Sequence, residues 1–331
     1  MINKIHLMDN QEGIAKLADK SVNLIIADPP YYKIKGDFDF EFKDFQEYQD
    51  FMEEQAKIYK RVLADNGSLF VYGHAKNIAY VQIIFDKYFN LVNNLVLEKQ
   101  KLKIEMFDLR SFPERTQERI LFYSNEIGQT GLEKILEENI KPLHPFAKYL
   151  QEEFKKAGVT NKEISKLFPS ATGGLTGCVS NWLNGDNVIT ENQYNTIRKY
   201  LGENYLRREY EDLRREYEDL RRPFNNRKKL TDVMRYSQES HISKQFDHDT
   251  IKPEKLTLDL IETTTKENDL VLIPFGGSGT ECVCAMRLKR QWVAFENKKK
   301  YFDIAMNRIL SEYEKTSLFN SLGGRQLQLS A

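Results

Sequence analysis

Asp28-Pro29-Pro30-Tyr31-Tyr32 sets an acid, two prolines and two aromatics directly after the short apolar run Val22 to Ala27. The Asp28 carboxylate and the backbone carbonyl of Pro29, kept rigid by Pro30, offer two neighbouring hydrogen-bond acceptors, and Tyr31 offers an aromatic face. The apolar run is rich in β-branched residues and too short for a solitary helix, so it reads as a buried strand, and the proline pair forbids its continuation in a sheet. Asp28 then stands at a strand's carboxyl end, the edge of an open α/β sheet where ligands bind. An Asp-Pro turn followed by surface tyrosines is the bland alternative, and a second cluster of residues decides against it.

Asp269 to Ile273 reads as another buried strand, running into Pro274-Phe275-Gly276-Gly277-Ser278-Gly279-Thr280 and then a helix. A third strand, Trp292 to Phe295, ends in Glu296. Strand, glycine turn, helix, strand and terminal acid make a nucleotide-cofactor half-site. The glycines let backbone approach a ligand, and a carboxylate at the next strand's tip accepts hydrogen bonds from ribose hydroxyls. A nucleotide-dependent oxidoreductase would use the same turn, but it has no use for Asp28 to Tyr31.

The early Asp-Pro-Pro-Tyr and the late Pro-Phe-Gly-Gly-Ser-Gly-Thr together resemble the DNA amino-methyltransferases that use S-adenosylmethionine, in the permuted, beta-class order where the catalytic motif comes first. Motifs and flanks cover about two thirds of the chain. The resemblance implies a doubly wound, mostly parallel, seven-stranded Rossmann-like sheet, S-adenosylmethionine as cofactor and duplex DNA as substrate. It implies methyl transfer to the exocyclic N6 of adenine on a flipped base, with cytosine N4 as the alternative, since the cytosine members more often carry serine in place of Asp28. Asp28, Pro29, Pro30 and Tyr31 are its catalytic residues. The cofactor residues are Asp9 and Asn10 beside the adenine, Asp28, Lys252 and Pro253, Phe275, Gly277, Ser278, Gly279 and Thr280 in the turn, and Glu296 on the ribose. Asp9 equally suits the cap of the helix that follows it. His248, Thr250, Lys252 and Pro253 keep four of the six residue types of the family's His-Pro-Thr-Gln-Lys-Pro stretch. The sequence departs from the family at Ile273, where an acid near the cofactor's positive end is usual. A DNA-binding regulator with a degenerate cofactor site would explain that loss, but not the retention of Asp28, Tyr31, Lys252 and Glu296.

Composition bounds the rest. The 331 residues, 40% of them hydrophobic, suffice for a large core, and 49 basic against 49 acidic residues leave nucleic-acid binding to local patches. Cys178, Cys282 and Cys284 form neither a metal-ligand spacing nor an even disulfide set, which suits a reducing cytoplasm and predicts no metal. No membrane span is expected.

Residues 1–132 read as the first part of the catalytic domain, 133–223 as a helical target-recognition insertion, 224–316 as the second part and 317–331 as a mobile tail. Within the insertion, the capping box at Thr160 to Glu163, the glycine-rich turn before Cys178 and the helix through Asn184 resemble a repressor-type helix-turn-helix. Thr176, Ser180 and Asn181 are its candidate DNA contacts. Leu206 to Asp212 and Leu213 to Asp219 repeat perfectly. The Leu/Tyr stripe is too short for a firm coiled coil, so packing against the catalytic domain is expected ahead of a homodimer. Arg227, Lys228 and Lys229 are candidate phosphate ligands. A homodimer and a cognate restriction endonuclease are left open as partners.

Overall fold

The computed structural model describes residues 1–34, 41–100, 118–125, 143–237 and 251–328. His248, Thr250, Phe38, Phe40 and the basic stretch from 101 to 103 lie outside them. The chain divides into two compact units, Met1–Leu136 with Arg222–Ala331, and Glu137–Arg221.

Among the described residues the first unit is built on eight strands: β1 (Lys4–Leu7), β2 (Val22–Ala27), β3 (Leu63–His74), β4 (Asn90–Gln100), β5 (Glu118–Ser124), β6 (Val233–Ser237), β7 (Leu270–Ile273) and β8 (Gln291–Glu296). They lie in the order β1-β8-β7-β2-β3-β5-β4-β6. Only β5 runs against its neighbours, β3 and β4. The sheet thus has one strand more than expected. The extra one, β6, pairs parallel with β4 and buries Met234 and Tyr236, while Arg235 reaches Glu98 at 2.6 Å. Two inward residues are too short an alternation to stand out of a charged stretch.

Side-chain alternation along the central strands feeds two cores. Leu24 and Ile26 of β2 and Phe70 and Tyr72 of β3 join one core, with the helices Glu254–Thr264, Thr280–Arg287 and Lys299–Gln328. Ile25, Ala27, Leu69 and Val71 join the other, with Asn10–Ile14, Phe45–Val62 and Ile78–Phe85. In chain order these helices are α1 (Asn10–Ile14), α2 (Phe45–Val62), α3 (Ile78–Phe85), α9 (Glu254–Thr264), α10 (Thr280–Arg287) and α11 (Lys299–Gln328), with α4 to α8 in the second unit. The tail expected from residue 317 is helical through Gln328 as part of α11. No helix among the described residues is long and apolar enough to cross a membrane.

The second unit comprises α4 (Pro145–Ala157), α5 (Asn161–Ser165), α6 (Cys178–Leu183), α7 (Glu191–Leu201) and α8 (Tyr210–Leu220). Local signals set its boundaries. Gly158 at φ 67° closes α4, and reciprocal capping boxes open α5 at Thr160/Glu163 and α7 at Thr190/Gln193. The tandem repeat departs from expectation. Leu206 lies outside α8 at φ 48°, and with Leu213 it is fully buried against Phe146, Leu150, Val179 and Trp182 of the same unit. The stripe is therefore consumed within the helical unit, and the ion pairs along α8 form at i,i+3, Arg214 with Glu211 and Arg215 with Asp212.

Each unit holds one of the two tryptophans, Trp182 and Trp292, both buried. In a Trp292→Phe background, where fluorescence reports the helical unit, Leu213→Ala is expected to lower the denaturant-derived stability by about 2–4 kcal/mol. An unchanged midpoint would show that this leucine does not hold the helical core.

Candidate active site

Parallel pairing carries the carboxyl ends of five strands to one edge. The registers Leu7↔Glu296, Ile273↔Ala294, Ile25↔Leu272 and Ala27↔Val71 level the segments that follow β1, β8, β7, β2 and β3. Asp28, Phe275 to Thr280 and Glu296 therefore meet there, although most of the chain separates the first from the others. The reversed strand β5 begins at the same edge, with Glu118 opposite His74.

Asp28 is engaged on both oxygens. Tyr31 Oη donates to its Oδ1 at 2.5 Å, and Lys252 Nζ lies 3.1 Å from its Oδ2. Lys252 also donates to Tyr31 Oη at 2.9 Å and lies 3.4 Å from Glu118, with only 6% of its side chain exposed. Its ammonium sits over the Tyr31 and Tyr72 rings, 5.3 and 4.9 Å from their centroids. Burial works against that charge, but Asp28 and Glu118 outweigh it and hold the Lys252 pKa above its ordinary value. Burial, with Asp28 and Glu118 adding to it, keeps the Tyr31 hydroxyl protonated far above its usual range. Pro29 and Pro30 follow directly on β2, and Asn77 Nδ2 donates to the Tyr31 carbonyl. Tyr32 and Lys33 both adopt positive φ, 52° and 53°, and the Tyr32 ring packs on Phe45 and Tyr48.

On the cofactor side, Glu296 accepts from the backbone N–H of Gly277 and of Lys298, both at 2.9 Å. Burial raises its pKa, and those two bonds pull against the rise. Each carboxylate oxygen keeps a lone pair for a ribose hydroxyl, so the residue fits an adenosine ligand. The turn itself is fixed from behind. Arg308, buried on α11, donates to the Ser278 carbonyl, Ser278 Oγ and Thr280 Oγ1 at 2.9–3.1 Å and to Glu254 at 2.9 Å. The hydroxyls of Ser278 and Thr280 are thereby committed to the protein. A Cβ on Gly279, at φ 76°, would come within 3.0 Å of Ala305 Cα, so that glycine also serves close packing on α11. Phe275 packs on Phe51 with its ring centroid 6.3 Å away. Pro253 precedes α9 as its N-cap and Lys252 precedes Pro253.

Other expected residues have structural employment. Asp9 caps α1, accepting from Gln11 and Glu12 N–H, and the buried Asn10 accepts from Gln55. Thr176 donates to the Phe168 carbonyl, whereas Ser180 and Asn181 are exposed on α6. Lys228, itself half exposed, is paired at 2.6 Å with both Asp259 and Glu262, and Arg227 and Lys229 are exposed on either side of it.

Sequence reading missed Glu118, Arg308 and Glu281. Glu118 begins a strand far from either motif and Arg308 lies on a helix remote in sequence, so no spacing marks them. For Glu281 a signal was available, its place directly after the glycine turn, but it was not read as a site residue. It is 6% exposed, its Oε1 has no hydrogen-bond partner, and burial reinforced by Asp28 pushes its pKa up to about 7. Among the described residues no cluster able to hold a metal ion is present.

Comparison with known proteins bears on the family and the fold. A family model described as DNA methylase, for N6 and N4 methyltransferases, matches residues 22–307. The type II methyltransferase M2.DpnII of Streptococcus pneumoniae is 24% identical over 330 residues, covering 94% of this chain and 92% of that protein. Among solved structures, the cytosine-N4-specific PvuII DNA methyltransferase superposes with TM-score 0.51 at 15% identity, covering 94% of this chain and 91% of that one. The M1.HpyAVI–SAM complex does so with TM-score 0.51 at 17% identity, covering 92% and 98%. At such identities the two structures speak for the fold alone.

Lys252 supplies a prediction. With its raised pKa, its contribution to stability is fully present through the neutral range and is lost only in strongly alkaline solution. In Lys252→Met, Asp28 and Glu118 lose the cation they share, and carboxylates left without it repel one another once ionised. The variant is expected to lose about 3–5 kcal/mol, with a larger loss in melts near pH ~8 than near ~5. A penalty independent of pH would show that Lys252 does not balance these carboxylates.

Proposed function

The chain belongs to the N6/N4 DNA methylase family, whose model spans most of its length, and on that premise we propose that it methylates the exocyclic N6 of adenine in duplex DNA, using S-adenosylmethionine. The observation that carries the choice of chemistry is Asp28, held at the end of β2 by Tyr31 and Lys252 on the same edge as the glycine turn. The cofactor, when bound, supplies an electrophilic methyl group on a sulfonium.

An adenine amine is a poor nucleophile because its lone pair is delocalised into the ring. Asp28 and the Pro29 carbonyl accept its two N–H bonds, which localises the lone pair and aligns it for in-line attack, and Asp28 is placed to receive the proton that leaves. Inside a duplex the amine is out of reach, so the base is flipped, and Tyr31 stacks on it. Asp28 in place of serine favours adenine over cytosine. Glu296 receives the ribose hydroxyls, and Asp9 and Asn10 border the adenine of the cofactor.

The helical unit supports target readout through Ser180 and Asn181, exposed at the start of a short helix. Its connection from α5 to α6, Lys166 through Gly177, is longer than the turn of roughly 3–4 residues in a repressor motif, so readout extends to the glycine-rich loop. Arg227 and Lys229 hold phosphates, with Lys228 held back by its two acids. The type II relative supports a cognate restriction endonuclease as partner.

Methylated DNA digested to nucleosides should contain N6-methyladenine. Asp28→Ala should abolish it while S-adenosylmethionine affinity stays within a few-fold, and N4-methylcytosine as the product would overturn the adenine assignment. Ser180→Ala with Asn181→Ala should reduce discrimination between sites without changing cofactor affinity. Unchanged relative rates at all sites would remove α6 from target readout.

A further inference from the structure

Glu281, near the start of α10, is a buried acid with one unsatisfied carboxylate oxygen. Its Oε1 lacks a hydrogen-bond partner, although Ser278 and Thr280 on the same turn are tied down by Arg308. The cluster around it explains why. Asp28 at the end of β2 and Lys252 before α9 act on it, as do Arg308 on α11, Tyr72 on β3 and Cys282 and Cys284 on its own helix. Arg308 is already bonded to Glu254, and Lys252 is shared by Asp28 and Glu118. Three carboxylates thus compete for the one ammonium of Lys252, and the pocket is short of positive charge when all three are ionised. A buried carboxylate without a partner is costly unless it is protonated or a cation arrives. Meanwhile the strand before the turn ends in Ile273, fully buried in the same core as Tyr72 and Cys282, where an acid is expected.

We propose that Glu281 is the displaced cofactor acid of this site: its carboxylate, and not a residue at position 273, binds the cationic methionyl end of S-adenosylmethionine. The proposal rests on the cofactor assignment above and names the group that completes it. In the free protein Glu281 holds a proton below about pH 7. As the cationic ligand enters, that proton leaves to solvent and the carboxylate pairs with the ligand, so the missing charge is supplied by the cofactor itself. A pKa of about 7 places this exchange in the physiological range. Affinity then rises with pH through about that value and levels off above it, because only the ionised form pairs.

The test is calorimetric and needs no turnover. Full-length protein is titrated at pH ~6 to ~8 with S-adenosylmethionine and with 5′-methylthioadenosine, which keeps the adenosine but lacks the charged end. For the wild type, affinity for S-adenosylmethionine should increase with pH and binding should release protons, seen as a dependence of the heat on buffer ionisation enthalpy. Glu281→Gln, which keeps shape and neutrality, should bind S-adenosylmethionine about tenfold more weakly at the upper pH, the low end for a hydrogen bond to a charged group. It should lose the pH dependence and keep wild-type affinity for 5′-methylthioadenosine. Glu281→Asp should recover part of the pH dependence. Equal binding by wild type and Glu281→Gln overturns the proposal, and so does an equal loss of both ligands, which marks a structural role. A wild type that binds neither ligand removes the cofactor assignment itself, an outcome distinct from both.

Discussion

One buried ammonium organises the chemistry of this molecule. Lys252 is almost wholly enclosed, yet its charge is retained because Asp28 and Glu118 stand within 3.4 Å and two tyrosine rings present their faces to it. A cation so placed is stable only with its acids, and the acids only with it. The consequence is geometric as much as electrostatic. Lys252 comes from the segment before α9, Asp28 from the end of β2 and Glu118 from the start of β5, so one ion cluster ties three distant parts of the chain to one edge of the sheet.

The same logic operates under the glycine turn. Arg308 takes up both side-chain hydroxyls and a carbonyl of the turn, and Glu254 neutralises it. The turn is thereby preorganised without help from a ligand. Glu281, beside it, is the exception, with Oε1 left without a partner. Preorganisation of this kind lowers the ordering cost of binding, and it separates residues that shape the turn from those left to meet a ligand.

Much of this was legible in the sequence and some was not, for identifiable reasons. The central strands β2 and β7 and the glycine turn declare themselves because apolar runs stopped by proline or glycine have few other readings, and Asp28, Gly277 and Glu296 follow from their positions at strand ends. β6 was hidden because its inward face consists of Met234 and Tyr236 alone. The tandem repeat misled, since periodicity shows that a stripe is buried but not by what, and Leu206 turned out to enter the helical core from outside the helix. Lys228 was read as a phosphate ligand from its basic neighbours, while the acids that claim it, Asp259 and Glu262, lie on a helix far along the chain. Glu118 and Arg308 act through contacts whose sequence separation leaves no local trace.

Tyr31 shows how the two halves of the site constrain each other. Its carbonyl is held by Asn77, its hydroxyl is bonded to Asp28 and Lys252, and the chain just beyond it is held at positive φ by the packing of Tyr32 on Phe45 and Tyr48. Left-handed conformations at two successive side-chain-bearing residues cost on the order of 1–3 kcal/mol each and persist only where the surroundings over-determine them. The ring is therefore a fixed plate, not a flap. The Lys252 ammonium bonds its hydroxyl and lies 5.3 Å from the ring centroid, which adds a further restraint. Asp28, with one lone pair on Oδ1 given to Tyr31 and Oδ2 turned to Lys252, still has acceptor capacity for an amine. The carboxylate can thus accept a further hydrogen bond without the ion cluster that holds it in place being broken.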